Sequence, residues 1–514
     1  MSTYHRSRRA TRPRRRSPWF LAGGLVAGGL VAGTAGAAGA AAAGDPALAG
    51  AGRPAMVMRA DETGPGHPGE PDREPRGKDR EGRPEERDAV GPPDGGRPDG
   101  GHREAVAVPC DSGELIAALV RVNAEGGGDL RLAPKCRYTL THAFAQPDDY
   151  DGGIRDAREA ADSAENPGDA EAPRRNPQHD KAGLPVIYHP ITIHGEGATI
   201  ERGVHAEEFR FFTVRDGGDL TLREVILRNG RSLAEGGSIH VVHGASAIVE
   251  RTTIIGSTSL SAEGGGGGIF NDGNMVVTDS TFIGNRAAGT AGKGGGLLNG
   301  GVLAVHGSHF RDNSAVGYGG GLGNYRGAAE VHTSTFVHND AAQGGGLASF
   351  SARTRVVETK VLGNIAQVGG GIANSDALIF LRRLEIRDNT ATGNGGGIST
   401  FQGLVPLDDS IVAGNTARGK GGGVYAEKSN VLVRRSGVHG NDAVGTASTG
   451  GGIFATLGQF SLYRSAVTGN SATVQPAGVF ADKARVRVDD ETDLVDNEPT
   501  NCAGSRVPIA HCFR

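Results

Sequence analysis

The sequence predicts an all-β protein, a parallel β-solenoid of about 11 to 12 coils with a short N-terminal capping helix. Three observations support this fold: a recurring glycine run before Ile, Leu or Val, a recurring asparagine, and a spacing of 25 to 29 residues between asparagines. These asparagines are Asn285, Asn313, Asn339, Asn364, Asn389, Asn415, Asn441 and Asn470. Repeats of this length without amphipathic helices are typical of stacked β-coils.

Apolar residues keep step with the asparagines. The side chains eight residues upstream are Val277, Val305, Val331, Val356, Leu381, Leu407, Val433 and Leu462. Those ten residues upstream are mostly apolar and share the same strand face, so stacked coils would form two buried spines. An alanine two residues after each asparagine predicts a tight inward corner. The asparagines themselves suit a left-handed turn and can stack amide on amide.

The repeats also carry a family signature. Phe282-Ile283-Gly284-Asn285, Phe310-Arg311-Asp312-Asn313 and Phe336-Val337-His338-Asn339 all read F-x-x-N, beside glycine runs such as Gly268-Ile269. Together these phrases resemble the repeats of the chlamydial polymorphic membrane proteins and of other parallel β-helix repeat proteins. The resemblance covers roughly half of the chain and implies a right-handed parallel β-helix of three faces, secreted or surface-exposed. The chain departs from those relatives, because we expect no autotransporter barrel after Asn497.

The N-terminal third is organised differently. Residues 1–43 combine an arginine-rich start with a Gly/Ala-rich apolar stretch, which predicts an export signal peptide, with a retained membrane anchor as the alternative. Residues 44–105 are rich in proline, glycine and charge and predict a disordered linker. Residues 106–514 form the predicted β-helix domain, interrupted by a disordered, charged insert at residues 146–183. We therefore expect an extracellular protein, secreted or cell-wall associated, without a membrane span in the mature chain.

Both ends of the predicted solenoid carry a stabilising feature. Asp111 to Glu114 has capping-box spacing ahead of an amphipathic segment, so a helix is expected to cover the first open coil edge. The four cysteines fall into two local pairs, Cys110 with Cys136 and Cys502 with Cys512. In an exported protein these pairs predict one disulfide at each end.

A ladder of charged residues is the strongest candidate for a functional surface. It lies seven and six residues before successive asparagines and consists of Arg382, Arg383, Asp408, Asp409, Arg434, Arg435, Tyr463 and Arg464. In one interpretation, opposite charges on neighbouring strands only stabilise the sheet. In the other, arginines pair with carboxylates of a glycan and Tyr463 offers its ring.

These features favour a non-catalytic protein that binds a glycan or another surface, or that acts as a structural rod. The alternative is a polysaccharide lyase or glycoside hydrolase acting on an acidic polysaccharide, with Asp408 and Asp409 as carboxylates and Arg382 or Arg434 beside them. Against it, no further acidic motif converges on that pair. With a net charge of −4, the chain does not predict nucleic-acid binding. We expect a monomer without a metal or cofactor.

Overall fold

The structure, a computed structural model, describes residues 104–144 and 180–512. The predicted signal peptide lies outside the described residues, as do most of the predicted linker and most of the insert. The described chain folds into a parallel β-helix, which confirms the predicted fold class. Each full coil contributes one strand to each of four parallel sheets, which we number 1 to 4 in chain order within the coil.

Sheet 1 contains the longest strands, and sheet 2 follows it after a tight turn. The strands of sheet 1 are Val106–Val108, Gly128–Leu132, Pro190–His194, Asp219–Arg223, Ser246–Glu250, Asn274–Thr278, Val302–His306, Ala328–His332, Arg353–Val357, Leu378–Arg382, Leu404–Asp408, Asn430–Arg434, Gln459–Tyr463 and Arg485–Val488. The strands of sheet 2 are Arg137–Leu140, Thr199–Arg202, Ile226–Arg228, Thr253–Ile255, Thr281–Ile283, His309–Arg311, Thr335–Val337, Lys360–Leu362, Glu385–Arg387, Ile411–Ala413, Gly437–His439, Ala466–Thr468 and Asp493–Val495.

Sheet 3 is a corner sheet of mostly two-residue strands, and sheet 4 completes the coil. The strands of sheet 3 are Arg231–Ser232, Thr258–Ser259, Arg286–Ala287, Ser314–Tyr318, Asp340–Gln343, Ile365–Val368, Thr390–Ala391, Thr416–Ala417, Asp442–Ala443 and Ser471–Ala472. The strands of sheet 4 are Phe212–Val214, Ile239–Val241, Ile269–Asn271, Leu297–Asn299, Leu322–Tyr325, Leu347–Phe350, Ile372–Ser375, Ile398–Phe401, Val424–Glu427, Ile453–Thr456 and Val479–Asp482.

The solenoid has about 14 turns, since its longest sheet has 14 strands, and the predicted count of 11 to 12 coils was therefore too low. That count followed the asparagine period, which the first coils lack. Val106–Val108 and Gly128–Leu132 nevertheless pair in parallel and begin sheet 1. The short strands of sheet 3 also make four sheets where the family resemblance implied three faces.

The predicted end features are present. The helix Ser112–Ala124 begins after Asp111, whose side chain accepts hydrogen bonds from the N–H groups of Gly113 and Glu114 at 2.8 and 3.1 Å. It buries Leu115 and Leu119 against the first coil. The disulfides Cys110–Cys136 and Cys502–Cys512 are both formed, as predicted.

The core follows the predicted pattern of apolar spines. Val277 and its seven equivalents eight residues before the asparagines are at most 1% exposed. Beside them, Phe282, Phe310 and Phe336 are fully buried and stack with ring centroids 4.4 and 4.8 Å apart. Stacked coils therefore bury identical positions against each other and form one continuous apolar core.

The recurring asparagines form a buried hydrogen-bonded ladder. Asn364 is typical: its backbone N–H and its Nδ2 both donate to Oδ1 of Asn389, at 2.9 and 3.0 Å, and its Nδ2 also donates to the carbonyl of Phe336 at 3.0 Å. The expectation of a left-handed asparagine was wrong, because the preceding residue takes that conformation, as in His338 with φ of 54°. The asparagine is left free to point inward and bond to the next coil.

Two further polar ladders were not predicted from the sequence. Ser280, Ser308 and Ser334 each accept a hydrogen bond from a backbone N–H of the preceding coil, at 3.1 to 3.2 Å. Inside sheet 4, the Nδ2 of Asn271 donates to Oδ1 of Asn299 at 2.7 Å, and Asn299 donates in the same way to the next coil. These ladders satisfy polar groups at turns that the apolar core would otherwise leave without partners.

The base of the insert is part of the solenoid. Residues 180–183, which the sequence analysis assigned to the insert, are packed: Ala182 pairs with Arg210, and its carbonyl accepts a hydrogen bond from the N–H of Phe144 at 2.8 Å. Within residues 104–144 and 180–512, no helix has the length and apolar character needed to span a membrane.

Candidate binding surface

The charged ladder lies where sheet 1 turns towards sheet 2. Arg382, Asp408, Arg434 and Tyr463 end four consecutive strands of sheet 1 and are neighbours in register. The residues that follow them occupy the turn in the left-handed conformation, with φ between 47° and 53°: Arg383, Asp409, Arg435 and Arg464. The structure thus brings all eight predicted residues together on one edge.

The ladder charges are paired within the protein. Arg434 holds Asp408 with two bonds, Nε to Oδ1 and Nη2 to Oδ2, both 2.6 Å long. Arg435 holds Asp409 in the same way, at 2.6 and 3.1 Å. Each pair joins two adjacent coils, which is the arrangement of opposite charges that the first interpretation expects.

The remaining ladder arginines also have acidic neighbours. Nη2 of Arg383 lies 2.6 Å from Oε1 of Glu358, and Nε of Arg464 lies 2.6 Å from Oε2 of Glu491. Arg382 is held more loosely, with its Nε 3.7 Å from Oδ2 of Asp409. With Glu358 and Glu491 included, the five ladder arginines face four carboxylates, and Arg382 shares Asp409 with Arg435.

The electrostatics of the ladder do not favour acid catalysis. The hydrogen bond from Arg435, together with the nearby arginine charges, lowers the pKa of Asp409. A general acid for glycoside cleavage needs a carboxyl group whose pKa is raised. Asp409 therefore stays ionised at neutral pH and acts as an anchor for arginine.

An apolar platform adjoins the ladder on the outer face of sheet 1. We define it as Leu378, Phe380, Leu404, Pro406 and Leu432, which lie on three consecutive strands. Phe380 is 41% exposed and Leu404 is 44% exposed, whereas Leu378, Pro406 and Leu432 are half-buried. Contiguous exposed apolar side chains on a soluble protein often mark an interaction surface. This platform was not predicted from the sequence, although its members lie two and four residues before ladder positions and so share their strand face.

An aromatic cluster spans sheets 3 and 4, because Tyr318 ends a strand of sheet 3 whereas Tyr325 and Phe350 end strands of sheet 4. The rings of Tyr318 and Phe350 stack with centroids 5.4 Å apart, Tyr325 lies against them, and Nζ of Lys293 is 5.4 Å from the Tyr325 ring. Because the rings cover one another and the lysine covers their rim, little ring face remains for a ligand. We interpret this cluster as packing over the step from sheet 3 to sheet 4.

One prediction follows from Tyr318, whose buried hydroxyl has no hydrogen-bond partner in the described part of the chain. Burial raises the pKa of Tyr318 and leaves the hydroxyl unsatisfied. Tyr318→Phe is expected to increase the free energy of unfolding by about 1 kcal/mol, because the desolvation penalty of the hydroxyl disappears. Urea unfolding measures the change. The matched variant is Tyr425→Phe, which loses a 2.7 Å hydrogen bond to Glu427 and should be destabilised; equal effects of the two variants would contradict the prediction.

A shallow hollow of about 430 Å³ lies along sheet 3. Its floor consists of Ala315, Ala341 and Ala366, which belong to the alanine corner of the shortest coils. Arg286 and Asp340 border it on coils two steps apart. The hollow follows from small side chains at the corner, and Ser314, Gln367 and Thr392 also line it.

Metal ligands do not assemble in the described ranges. The rings of His306 and His332 stack on adjacent coils with centroids 5.4 Å apart. No group of three His, Cys, Asp or Glu side chains in residues 104–144 and 180–512 is arranged to hold a metal ion.

Fold and surface together define a parallel β-helix protein with buried polar ladders, an edge of paired charges and an apolar platform. No protein-family model matches the sequence, and no curated protein matches it.

Solved structures with a similar fold include three β-helix proteins. The periplasmic alginate epimerase AlgG is 11% identical with a TM-score of 0.34, over 59% of this chain and 77% of the epimerase chain. Tailspike protein 3 of bacteriophage CBA120 is 13% identical with a TM-score of 0.37, over 80% and 61% of the two chains. A double mutant of the tailspike protein of E. coli bacteriophage HK620 is 11% identical with a TM-score of 0.30, over 74% and 62%. This chain thus spans less than two thirds of either tailspike, and the likeness concerns the fold alone.

Proposed function

We propose that this protein is a secreted or cell-surface β-helix that binds a linear glycan on the outer face of sheet 1 without cleaving it. The observation that carries the proposal is the apolar platform beside the charged ladder. Export is supported by the two disulfides, which persist in oxidising compartments. The similarity to chlamydial polymorphic membrane protein repeats remains a prediction in accord with a surface location.

The platform and the ladder supply complementary chemistry. Exposed rings and apolar side chains pack against the apolar faces of sugar rings, and a few fixed polar groups orient a ligand. Phe380 and Tyr463, which is 39% exposed, lie three coils apart, or about 14 Å along the solenoid axis. A linear chain laid along the axis would contact both rings and the paired side chains between them.

Binding of the glycan without cleavage is supported by the arginine pairing of the two ladder carboxylates. Asp408 and Asp409 are each held by an arginine fork, and both pairs are part of the coil-to-coil contacts. A nucleophile or general base would have to leave this pairing before it could reach a substrate. The lyase or hydrolase alternative is tested by the same experiment.

The test uses the full chain and a panel of linear polysaccharides. Wild-type protein is expected to bind at least one of them, and Phe380→Ala should weaken that binding about tenfold, because one exposed aromatic contact of roughly 1 to 2 kcal/mol is lost. The matched control is Val302→Ala, an exposed apolar side chain of the same sheet that lies three coils from Phe380. Isothermal titration measures affinity, and assays of new reducing ends and unsaturated uronate measure turnover.

Three results would contradict the proposal. The first is a wild-type protein that binds no member of the panel, and the second is Phe380→Ala behaving like Val302→Ala. The third is turnover that is lost in Asp408→Asn, which would make the charged ladder an active site.

A further inference from the structure

We infer that the glycan bound by sheet 1 is acidic, and that two pairs of arginines on sheet 1, one on the strand directly before the platform and one two strands beyond it, hold its anionic groups. The first pair is Arg353 and Arg355, and the second is Arg485 and Arg487. This inference rests on the proposed glycan-binding function and specifies the chemical class of the ligand.

The two pairs lie on the platform face. Arg353 and Arg355 occupy the strand directly before Phe380, at outward positions in register with Leu378 and Phe380. Arg485 and Arg487 occupy the last strand of sheet 1, in register with Gln459 and Ser461. All four arginines are exposed.

These four arginines differ from those of the charged ladder. Within residues 104–144 and 180–512, none of the four has an ion-pair partner. The ladder arginines, in contrast, are matched by carboxylates. The guanidinium groups of these four arginines therefore keep their donors for an external anion, and arginine presents those donors as a fork that fits a carboxylate or a sulfate.

The outer face of sheet 1 is positively charged, whereas the chain as a whole is negatively charged. On outward positions of sheet 1, from Ala328–His332 to Arg485–Val488, six arginines stand against the two carboxylates of Glu330 and Asp408. The whole chain has a net charge of −4. A positive face on a net negative protein attracts a polyanion selectively to that face.

The spacing of the pairs indicates how the ligand lies. Arg355 and Arg487 are five strands apart, or about 24 Å along the axis. The platform occupies the first three of the four strands between the pairs, with Phe380 next to the first pair. The fourth strand presents Gln459, Ser461 and Tyr463 outward. An extended acidic glycan parallel to the axis would meet a cationic pair, an apolar stretch and a second cationic pair in turn.

Single-stranded nucleic acid fits this face less well. Such strands bind to a series of aromatic side chains on which successive bases stack. Between the arginine pairs, the exposed aromatic side chains on sheet 1 are Phe380 and Tyr463, on strands three apart. The surface offers apolar contact and end charges, which suit sugar rings bearing acidic groups.

The experiment compares acidic and neutral forms of the same polymer. The probes are polygalacturonate, hyaluronate and chondroitin sulfate, each beside a form whose carboxyl groups are reduced to hydroxymethyl groups and, for chondroitin, whose sulfates are also removed. A single-stranded oligonucleotide of similar charge is included. Wild-type protein should bind at least one acidic probe ten times or more tighter than its neutral form, and the difference should shrink as salt rises from 50 to 500 mM, because salt screens exposed charges.

Arginine variants assign the effect to the two pairs. Arg353→Gln/Arg355→Gln and Arg485→Gln/Arg487→Gln should each lower affinity for the acidic probe about tenfold and leave the neutral form unaffected. The matched control is Arg286→Gln/Arg418→Gln, which removes two exposed arginines of the sheet 3 side and the same amount of charge. Because all six positions are exposed, the variants are expected to fold, and circular dichroism checks this.

The outcomes separate this inference from the function on which it rests. Equal affinity for acidic and neutral forms overturns the inference that the ligand is acidic, while glycan binding stands. Equal losses of affinity in the arginine-pair variants and in the control variant do the same. Oligonucleotide binding as tight as that of the best glycan overturns it in favour of a general polyanion surface. Absence of binding to every probe, acidic or neutral, overturns the proposed function together with the inference.

Discussion

Replacement of Asn364 by alanine is expected to lower the free energy of unfolding by about 4 kcal/mol, a large share of the stability of an ordinary domain. Oδ1 of Asn364 accepts hydrogen bonds from both N–H and Nδ2 of Asn339, at 2.9 and 3.0 Å. Its Nδ2 donates to the carbonyl of Phe336 and to Oδ1 of Asn389. Alanine leaves the buried N–H of Asn339 without its acceptor and takes one hydrogen bond each from Nδ2 of Asn339, the carbonyl of Phe336 and Oδ1 of Asn389. A buried group left unsatisfied costs about 1 to 3 kcal/mol, and each further lost bond adds to this.

The measurement is chemical unfolding together with native-state hydrogen exchange. The amide of Asn339 loses its acceptor in this variant, so its protection should fall more than that of other amides in the same coil. Asn430→Ala is the matched control, because Asn430 is exposed at the first position of a sheet 1 strand. If Asn364→Ala is no less stable than Asn430→Ala, the buried asparagine ladder contributes little to stability.

Asp180→Asn is expected to cost about 3 to 5 kcal/mol, because it leaves a buried cation without its counter-charge. Arg210 is fully buried, and its Nη1 bonds to Oδ1 of Asp180. The other donors of Arg210 bond to the carbonyl of Glu235 at 3.1 Å and to Oγ of Ser232 at 3.2 Å, and neither partner carries charge. The stability of this coil therefore depends on one carboxylate.

The same pair predicts an acid-sensitive component of stability. Burial alone would raise the pKa of Asp180, but the charges of Arg210, His240 and Arg215 lower it below its ordinary value. A carboxyl group with a depressed pKa in the folded state stabilises the protein above its unfolded-state pKa of about 4, and this contribution is lost as pH falls below that value. Wild-type protein should lose stability below about pH 4 more steeply than Asp180→Asn does.

The neighbouring residue provides the control. Lys181 forms an exposed ion pair with Glu207, with Nζ 2.6 Å from Oε2. Lys181→Gln should cost less than about 1 kcal/mol, because solvent screens an exposed pair. If Asp180→Asn and Lys181→Gln have similar unfolding midpoints and similar pH profiles, the buried pair does not have the role assigned to it.

The residues of the charged ladder could be predicted from the sequence, but the pairing of their charges could not. The positions of Arg382, Asp408 and Arg434 relative to the asparagines placed them in one outward row. Whether those charges remain free to bind a ligand or pair with each other depends on side-chain conformation between adjacent coils. In the structure, Arg434 donates two hydrogen bonds to Asp408. The platform was not predicted because a repeat is recognised by the same residue type recurring at equivalent positions. Phe380, Pro406 and Leu432 occupy equivalent positions but are three different residue types.

The sequence by itself determined the fold class, the coil period, the buried spines, the capping helix and both disulfides, because each depends on local pattern or short separation. Only the tertiary structure decided which side chains meet. The parallel register places residues 25 to 29 positions apart side by side, so that Arg355, Phe380 and Arg487 share one face and Asp180 reaches Arg210. Such contacts depend on side-chain orientation and burial at each coil, and the period alone does not specify them.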